Sequence, residues 1–592
     1  MVHASSTQTP RQLLAAGAIG ALVAAALGLA AAQPSAQRQA ATGMLAGVVT
    51  THPGEVRGLR VKASDTVHRI AYTVFTNKGR YQFFNLPPSS YRVQVFEEAF
   101  DSPTETVDVK AGQTTTLNIA ITARAAAAGA GAGARGSIAQ TSYGRTAEDH
   151  DPSQVELVDF DVLYPPGPTR DLIVKECFGC HGISGWHGRK LNRAGWTRVV
   201  NRMFAPDGRV ANLAPGVPIV TYNRVPMQQK EAIIDYLTAN FGPASKPRDL
   251  RIDAVQRDED ALAGAIYVEY ELSRTLGPKF ANNLEPTPGG HSAFASLATP
   301  GVVWFSGNSS NSIVRVDTRD LNFATRTKEY WVANAARVNT TPHGIVEREG
   351  LVWFVELGGD HVSRLDPKTG RIERSRIPTE GAGPHSVWPD SKGNLWYTYF
   401  ASSGRVARYD AKTQQVREWE VGKDFSGYGI IVDKQDRVWA VSLNTPAVMG
   451  YDPASDRWTS YAISGPARRV AVDSKGNIWA CEYFDNKIAM IDPTSGRVTE
   501  YSLPLKWGNP YDLWPDAEDN IWIENAVYNS LVKFDPRTGR FSYVPFPQFA
   551  AHTPKLDRDK EGTLWFTLGR PTRLTGFKPK GNVPEAGRDR AQ

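Results

Sequence analysis

The second half of the chain repeats one hydrophobic pattern. From about residue 291, short apolar runs recur around a tryptophan that always follows Val, Ile or Leu. These tryptophans lie 40 to 49 residues apart, and there are seven: Trp304, Trp353, Trp396, Trp439, Trp479, Trp522 and Trp565. Turn segments such as Asp390-Ser391-Lys392-Gly393-Asn394 separate the runs, so each unit predicts about four short strands. This pattern predicts an all-β, seven-bladed β-propeller over residues 291–580, with the tryptophans in the core between blades.

A second strand-rich segment lies near the N-terminus, over residues 43–122. Its apolar residues alternate with polar ones in five short runs, at 45–49, 58–63, 81–83, 91–95 and 116–121. Turn signals, including Asn77-Lys78-Gly79 and Pro87-Pro88, separate the runs. The pattern predicts a small all-β sandwich. The stretches 77–83 and 85–93 resemble the carboxypeptidase-regulatory-like, prealbumin-type module, which implies a spacer or adhesion unit without chemistry of its own.

The region between these two parts predicts helices. Residues 123–155 are rich in Ala and Gly, which indicates a flexible linker. Residues 160–243 predict a small all-α domain with helices over 171–176, 192–204 and 227–241. Residues 244–290 form a polar connection whose strand-like run, 265–272, is a candidate for the strand that closes the last blade.

Composition and the N-terminus limit the partners and the location. The formal net charge of +6 is spread over 592 residues without a dense Lys/Arg run, so nucleic acid is excluded as a partner. Arg11 precedes an apolar stretch, 13–32, and Ala30 and Ala32 suit signal-peptidase cleavage before Gln33. We predict a signal peptide over residues 1–32, a periplasmic or secreted protein, and no transmembrane span after cleavage. The alternative is an uncleaved membrane anchor.

The chemistry-bearing motif is Cys177-Phe178-Gly179-Cys180-His181. Two thiols three positions apart, followed directly by a histidine, are what covalent attachment of haem c requires, because each thiol adds to a vinyl group and the histidine binds the iron. A zinc site would need further ligands at similar spacing, and the remaining cysteine, Cys481, is about 300 residues away. The motif therefore predicts one covalent haem c with His181 as the proximal iron ligand.

Three residues are candidates for the distal iron ligand. Met203 lies on the apolar face of the second predicted helix, and a thioether is a common ligand in such domains. Met227 and His187 are the alternatives. Three helices around this motif resemble a class I cytochrome c domain. The resemblance implies electron transfer with a redox partner that the sequence does not name.

The propeller units resemble the streptogramin lyase family, typified by virginiamycin B lyase. Pro342-His343-Gly344-Ile345 followed by Trp353-Phe354-Val355-Glu356 carries the resemblance. It implies elimination from a cyclic depsipeptide by two histidines of adjacent blades, a Glu three residues after the Trp, and Mg²⁺. His291, His343 and Glu356 match this set. At the Pro-His position the other blades carry His385, Tyr428, Arg468 and Tyr511, with His552 nearby in the last blade, and Glu482 is a second glutamate at the Glu position.

Together these features predict an exported c-type cytochrome fusion. Electron transfer through the haem is favoured, with the propeller channel binding a small-molecule or peptide substrate, or a partner. Two alternatives stay open: a carbon–oxygen lyase with a tethered cytochrome, and a non-enzymatic redox scaffold. A lyase would work without haem, whereas a redox enzyme would need it.

Overall fold

A computed structural model describes residues 41–51, 57–97, 99–123, 156–178, 190–203, 227–246, 248–251, 253, 255–273, 290–308, 310–332, 340–400, 403–423, 425–525, 527–548, 555–568 and 572–582. The predicted signal peptide, residues 1–32, and nearly all of the predicted linker lie outside this part. Among the helices within it, none is both long and apolar enough to span a membrane.

The N-terminal segment folds as two small sheets over one core. Its strands are β1 Gly43–Thr51, β2 Arg60–Asp65, β3 Ile70–Phe75, β4 Arg80–Leu86, β5 Ser89–Val95, β6 Phe100–Asp101, β7 Glu105–Val109, β8 Thr114–Thr116 and β9 Ile119–Ala123. One sheet has the order β4-β1-β9-β6 with β8 on β1, and β3-β2-β5-β7 belong to the other. Leu45, Phe83, Tyr91 and Val93 are fully buried between them. This segment is the predicted sandwich.

Six four-stranded antiparallel sheets follow in the described C-terminal half, each formed by consecutive strands. Blades 1 to 3 are β13 Gly290–Ala295, β14 Val302–Gly307, β15 Ser312–Asp317, β16 Thr327–Trp331; β17 Pro342–Arg348, β18 Leu351–Glu356, β19 His361–Leu365, β20 Ile372–Arg376; β21 Pro384–Pro389, β22 Leu395–Tyr399, β23 Arg405–Tyr409, β24 Val416–Glu420. Blades 4 to 6 are β25 Gly427–Val432, β26 Val438–Ser442, β27 Ala447–Asp452, β28 Arg457–Ala462; β29 Ala467–Val472, β30 Ile478–Glu482, β31 Lys487–Ile491, β32 Val498–Ser502; β33 Pro510–Pro515, β34 Ile521–Asn525, β35 Ser530–Asp535, β36 Arg540–Pro545.

The seventh blade is completed by a strand from far upstream. Its own strands are β37 Asp557–Arg558, β38 Leu564–Leu568 and β39 Arg573–Lys578, and β12 (Ile266–Glu271) pairs antiparallel with β39. The candidate closing run, 265–272, contains β12. Blade 1 meets blade 7 where the Ala295 amide donates to Asp557 Oδ2 at 2.7 Å, so the ring is closed.

The sandwich continues the sheet of the seventh blade. The free edge of β12 pairs antiparallel with β3, which gives one eight-stranded sheet ordered β37-β38-β39-β12-β3-β2-β5-β7. A buried ion pair crosses the junction, with Lys62 Nζ 2.6 Å from Glu269 Oε2. Arg60 Nη1 also donates to the Phe546 carbonyl oxygen at 2.7 Å. The sandwich is therefore joined to the propeller by backbone pairing.

The repeated aspartate and tryptophan form one local device. Asp390 sits in a turn, where its Oδ1 accepts from the Asn394 amide at 2.9 Å and its Oδ2 accepts from Trp396 Nε1 at 3.2 Å. The blades of Trp439, Trp479, Trp522 and Trp565 repeat the tryptophan contact with the aspartate six residues earlier. A buried indole N–H needs a partner, and this aspartate supplies it while shaping the turn.

The region between sandwich and propeller contains short helices and a small parallel sheet. The elements are β10 Glu156–Val158, α1 Phe160–Leu163, α2 Pro168–Glu176, α3 Arg193–Met203, α4 Met227–Asn240, β11 Arg248–Leu250 and α5 Glu259–Leu262. Helices α2 and α3 both pack on α4. The parallel pair β10–β11, which the sequence pattern did not predict, joins the two ends of this helical region.

Candidate functional site

The inner strands of the propeller share an irregularity where they begin. In blades 1 to 6 the register between the first and second strands shifts just after the first residue of the inner strand. A β-bulge of this kind frees side chains from the alternation of the ladder and turns them toward a common point. The second and third residues of the inner strands therefore surround the channel.

The second residues form a ring that we call the upper ring: His291, His343, His385, Tyr428, Arg468 and Tyr511. Neighbouring imidazoles contact each other at a tilt, with ring centroids 3.9 Å apart for both His291–His343 and His343–His385 and planes at 48° and 37°. The next pair, His385–Tyr428, is 4.1 Å apart. The structure thus brings together the two predicted catalytic histidines and adds a third.

The environment of the imidazoles keeps two of them neutral. Burial, helped by the charge of Arg469, lowers the pKa of His343 to about 3. Burial also lowers the pKa of His385 well below its ordinary value. His343 Nδ1 lies 2.9 Å from the His385 carbonyl oxygen, and His385 Nδ1 lies 3.0 Å from that of Tyr428. Because a carbonyl can only accept, each Nδ1 carries the proton and each Nε2 keeps its lone pair.

The other half of the upper ring combines one arginine with tyrosines. Arg468 Cζ lies 3.7 Å from the ring centroid of Tyr483 and 4.4 Å from that of Tyr511. The Tyr428 and Tyr511 hydroxyls contact each other. Burial raises the pKa of Tyr428 well above its ordinary value and that of Tyr483 to about 12. At neutral pH this half therefore presents a guanidinium cation beside the uncharged phenols of Tyr428 and Tyr483.

The third residues of these six inner strands, together with Lys555 just before β37, form a lower ring that closes the channel. Blades 1 to 4 contribute small residues, and blades 5 to 7 contribute long charged ones: Ser292, Gly344, Ser386, Gly429, Arg469, Asp512 and Lys555. Arg469 Nη1 donates to Ser386 Oγ across the channel at 2.7 Å. Burial raises the pKa of Asp512 and lowers that of Lys555. The space left among these side chains is about 20 Å³, which is room for roughly one water molecule.

Glu356, the third residue of the predicted catalytic set, is bound by side chains from the outer strands of its own blade. It is fully buried at the end of β18, and its Oε1 accepts from Arg374 Nε at 2.8 Å and from Ser363 Oγ at 2.5 Å. The other oxygen, Oε2, has no hydrogen-bond partner among the described residues. Within the described part of the chain, no three His, Cys, Asp or Glu side chains converge as metal ligands. These donors do not fit a protein-held magnesium ion, and we derive no step through one.

The equivalent carboxylate in blade 5 is Glu482. It is also fully buried, and its Oε2 accepts from the Gly465 amide at 2.8 Å. Burial raises its pKa to about 7. The hydrogen bonds of Glu356 and Glu482 thus go to Arg374, Ser363 and the Gly465 amide rather than to the upper-ring histidines.

The helical region packs on the propeller face that carries the upper ring. In an antiparallel blade, the loops between the second and third strands lie on the same face as the start of the inner strand. Phe484, Val527 and Tyr528 lie in such loops, and they pack in one apolar cluster with Cys177 and Phe178. Phe484 also packs against the cluster of upper-ring tyrosines. Cys177 and Phe178, the first two residues of the predicted haem motif, therefore lie on the propeller face where the channel has its mouth.

The structure describes only part of the predicted haem site. Cys177 is buried directly after α2, where its amide donates to the Ile173 carbonyl oxygen at 2.9 Å. Cys180, His181, His187 and His552 lie outside the described residues. Met203 and Met227 lie at the ends of α3 and α4, and nothing is described of their side chains.

Comparisons with known proteins match two parts of the chain. The model of the Virginiamycin B lyase family matches residues 279–449, and that of the carboxypeptidase regulatory-like domain matches residues 44–122. The propeller is related to the virginiamycin B lyases. The matched segment holds His291, His343, Glu356 and His385, while Arg468 lies beyond it. A search of curated proteins found no match.

Solved structures similar to the chain match it at low identity. The streptogramin B lyase structure is 19% identical, with a TM-score of 0.44, and the likeness covers 50% of this chain and 95% of that one. The virginiamycin B lyase from Staphylococcus aureus is 20% identical, with a TM-score of 0.44, over 49% of this chain and 95% of that one. YCF48 bound to D1 peptide is 12% identical, with a TM-score of 0.40, over 50% and 94%.

The lower ring and the contact between the helical region and the mouth were not predicted from the sequence. Arg469, Asp512 and Lys555 stand directly after the Pro-His position or its equivalent, so the same alignment of blades contained the signal. No local pattern marked the helical contact, because it joins loops that are about 300 residues away from Cys177.

Proposed function

We propose that the chain is an exported c-type cytochrome fused to a ligand-binding propeller, and that it transfers electrons through one covalent haem. The observation that carries the proposal is the position of Cys177. It begins the attachment motif and lies in an apolar cluster shared with the loops on the upper-ring face of the propeller. A group attached there is close to whatever the upper ring binds.

The described residues around Cys177 fit a haem. Phe178, Trp196, Ile233 and Leu237 are almost fully buried around it, and they form the apolar surroundings that a porphyrin needs. Cys177 and Cys180 would hold the porphyrin through thioether bonds, and His181 would bind the iron from the proximal side. Met203 would be the distal ligand, with Met227 or His187 as alternatives. When bound, the haem supplies one-electron transfer.

The upper ring is suited to bind a small molecule or a peptide that carries an acidic group. Arg468 is a permanent cation, whereas His343, His385 and Tyr428 are uncharged at neutral pH. The two imidazoles can accept hydrogen bonds at Nε2. The lower ring closes the channel beneath them, so a ligand would enter from the face where the helical region lies.

The test compares three full-length exported proteins: the wild type, Cys177→Ala/Cys180→Ala, and His343→Ala. We expect haem absorption that responds to ascorbate in the wild type and in His343→Ala, because His343 is not part of the apolar cluster that contains Cys177. We expect none in the double variant, because it lacks both thiols that would hold the haem. Loss of the haem spectrum in His343→Ala, or a wild type without covalent haem, would overturn the proposal. Circular dichroism would show that all three proteins are folded.

An elimination enzyme with a tethered cytochrome is the second candidate, and the family match over residues 279–449 favours it. The contact between the rings of His291 and His343 also suits it. Against it, a pKa of about 3 makes His343 a weak general base, and Arg374 holds Glu356. Magnesium-dependent cleavage of a cyclic depsipeptide by Cys177→Ala/Cys180→Ala would establish this candidate. Ligand binding that is unchanged in His343→Ala, with neither cleavage nor redox turnover, would instead support a non-enzymatic redox scaffold.

A further inference from the structure

The loop between blades 5 and 6 holds a tryptophan in an unusual backbone conformation. Trp507 has a φ of 65°, in the left-handed region that bulky side chains rarely adopt. Such strain persists only where the surrounding contacts enforce it, and it tends to occur at functional positions. The loop runs from β32 to β33 on the mouth face and ends four residues later at Tyr511 of the upper ring.

Three side chains fix the backbone of this loop. Asn486 Nδ2 donates to the Leu505 carbonyl oxygen at 2.9 Å, and the Tyr528 hydroxyl donates to that of Lys506 at 2.7 Å. Asn509 Nδ2 donates to the Tyr483 carbonyl oxygen at 3.1 Å. The loop is therefore anchored to blades 5 and 6, and one anchor leads to the tyrosine that stacks on Arg468.

In this conformation, Trp507 contacts the helical region. Its ring stacks on Phe160 of α1, with centroids 4.3 Å apart and planes at 28°. Phe160 in turn contacts Phe178, whose ring centroid is 6.5 Å away. Since Phe178 follows Cys177, two ring contacts join the strained loop to the haem motif.

We propose that Trp507 is a positioning residue that holds the haem-bearing end of α2 against the mouth of the propeller. The identity of the positioned group, a haem, rests on the proposed function. The contact itself rests on the stacking of Trp507 on Phe160. Without the indole ring, the helical region loses its aromatic contact with this loop. The haem would then be more exposed to water, which favours the more highly charged ferric state and lowers the reduction potential.

The test uses the holoprotein with Trp507→Gly, Trp507→Phe and a control, Gln414→Gly. Glycine accepts a left-handed φ without strain, so Trp507→Gly removes the ring without burdening the loop. Phenylalanine keeps a ring that can stack. Gln414 is exposed in an outer turn with a φ of 59°, so Gln414→Gly relieves the same kind of strain away from the helical region.

Two readouts decide the outcome. In Trp507→Gly we expect amide hydrogen exchange in α1 and α2 to rise about tenfold or more, and the haem potential to fall, while exchange in the blade strands stays unchanged. Trp507→Phe should stay within about threefold of the wild type, as should Gln414→Gly. Unchanged exchange in Trp507→Gly, or faster exchange with an unchanged potential, would overturn the positioning role. Absence of covalent haem in the wild type would instead overturn the proposed function, and the exchange data would still report on the contact.

Discussion

Tyr267 offers a sharp test of how the sandwich and the propeller are joined. It lies on β12, the strand that pairs with β39 of blade 7 on one side and with β3 of the sandwich on the other. Its side chain is fully buried, and its ring centroid lies 4.6 Å from that of Phe577 and 6.3 Å from that of Phe75. One ring thus packs against both parts of the molecule.

The ring and the hydroxyl of Tyr267 make separate contributions to the free energy of unfolding. Replacing Tyr267 by alanine leaves a cavity between the sandwich and blade 7, and such large-to-small changes of aromatic residues cost about 3–5 kcal/mol of unfolding free energy. Among the described residues, the hydroxyl reaches only the Val544 carbonyl oxygen, at a long 3.4 Å. Tyr267→Phe should therefore cost no more than about 1 kcal/mol. The phenylalanine variant is the matched control, because it keeps the packing and removes the hydrogen bond.

Urea unfolding can follow the two parts separately. Residues 43–122 contain no tryptophan, so tryptophan fluorescence follows the propeller and helical region, and hydrogen exchange of peptides follows the sandwich. We expect both signals to change at one midpoint, and Tyr267→Ala to lower both midpoints together. A sandwich that stays protected after the propeller has unfolded, or a Tyr267→Phe variant as unstable as Tyr267→Ala, would refute the reasoning.

Three further predictions concern the distal haem ligand, the strand that closes blade 7 and a buried glutamate. Met203→Ala should remove the thioether-to-iron charge-transfer absorption and lower the haem potential, and an unchanged spectrum would move the distal ligand to Met227 or His187. A chain that starts at Gly289 should aggregate because it lacks β12 and exposes the edge of β39, whereas one that starts at Ala41 keeps both β12 and the sandwich strand β3 that pairs with it and should stay soluble; equal solubility in light scattering would contradict this. Burial raises the folded-state pKa of Glu482 to about 7. The stabilising effect of the protonated carboxyl is therefore complete below pH 4.5 and is lost as the pH rises through 7. Glu482→Gln should flatten the dependence of the melting temperature on pH.

Much of the architecture follows from local patterns in the sequence. The tryptophan period identifies the blades because each blade repeats one buried indole and one turn aspartate, such as Asp473 with Trp479. The match of residues 279–449 to the Virginiamycin B lyase family and of residues 44–122 to the carboxypeptidase regulatory-like domain confirms the two β resemblances. The haem domain, its iron ligands and the signal peptide stay predictions.

The parts that sequence reasoning did not reach depend on contacts between distant residues. The run 265–272 could be recognised as a strand, but its pairing with β3 depends on which edge is exposed once the blade has formed. Glu356 matched a family position, yet its partner Arg374 comes from the outermost strand of the same blade and carries no motif. The conformation of Trp507 is imposed by its neighbours, since a tryptophan has no preference for a left-handed φ.

The most direct test of the central claim is mass spectrometry of the peptide that contains Cys177 and Cys180, prepared from the exported full-length protein. We expect this peptide to carry one covalently bound haem attached to both sulfur atoms. Recovery of the peptide with two unmodified thiols, from cells that mature other c-type cytochromes normally, would contradict covalent haem attachment at this motif.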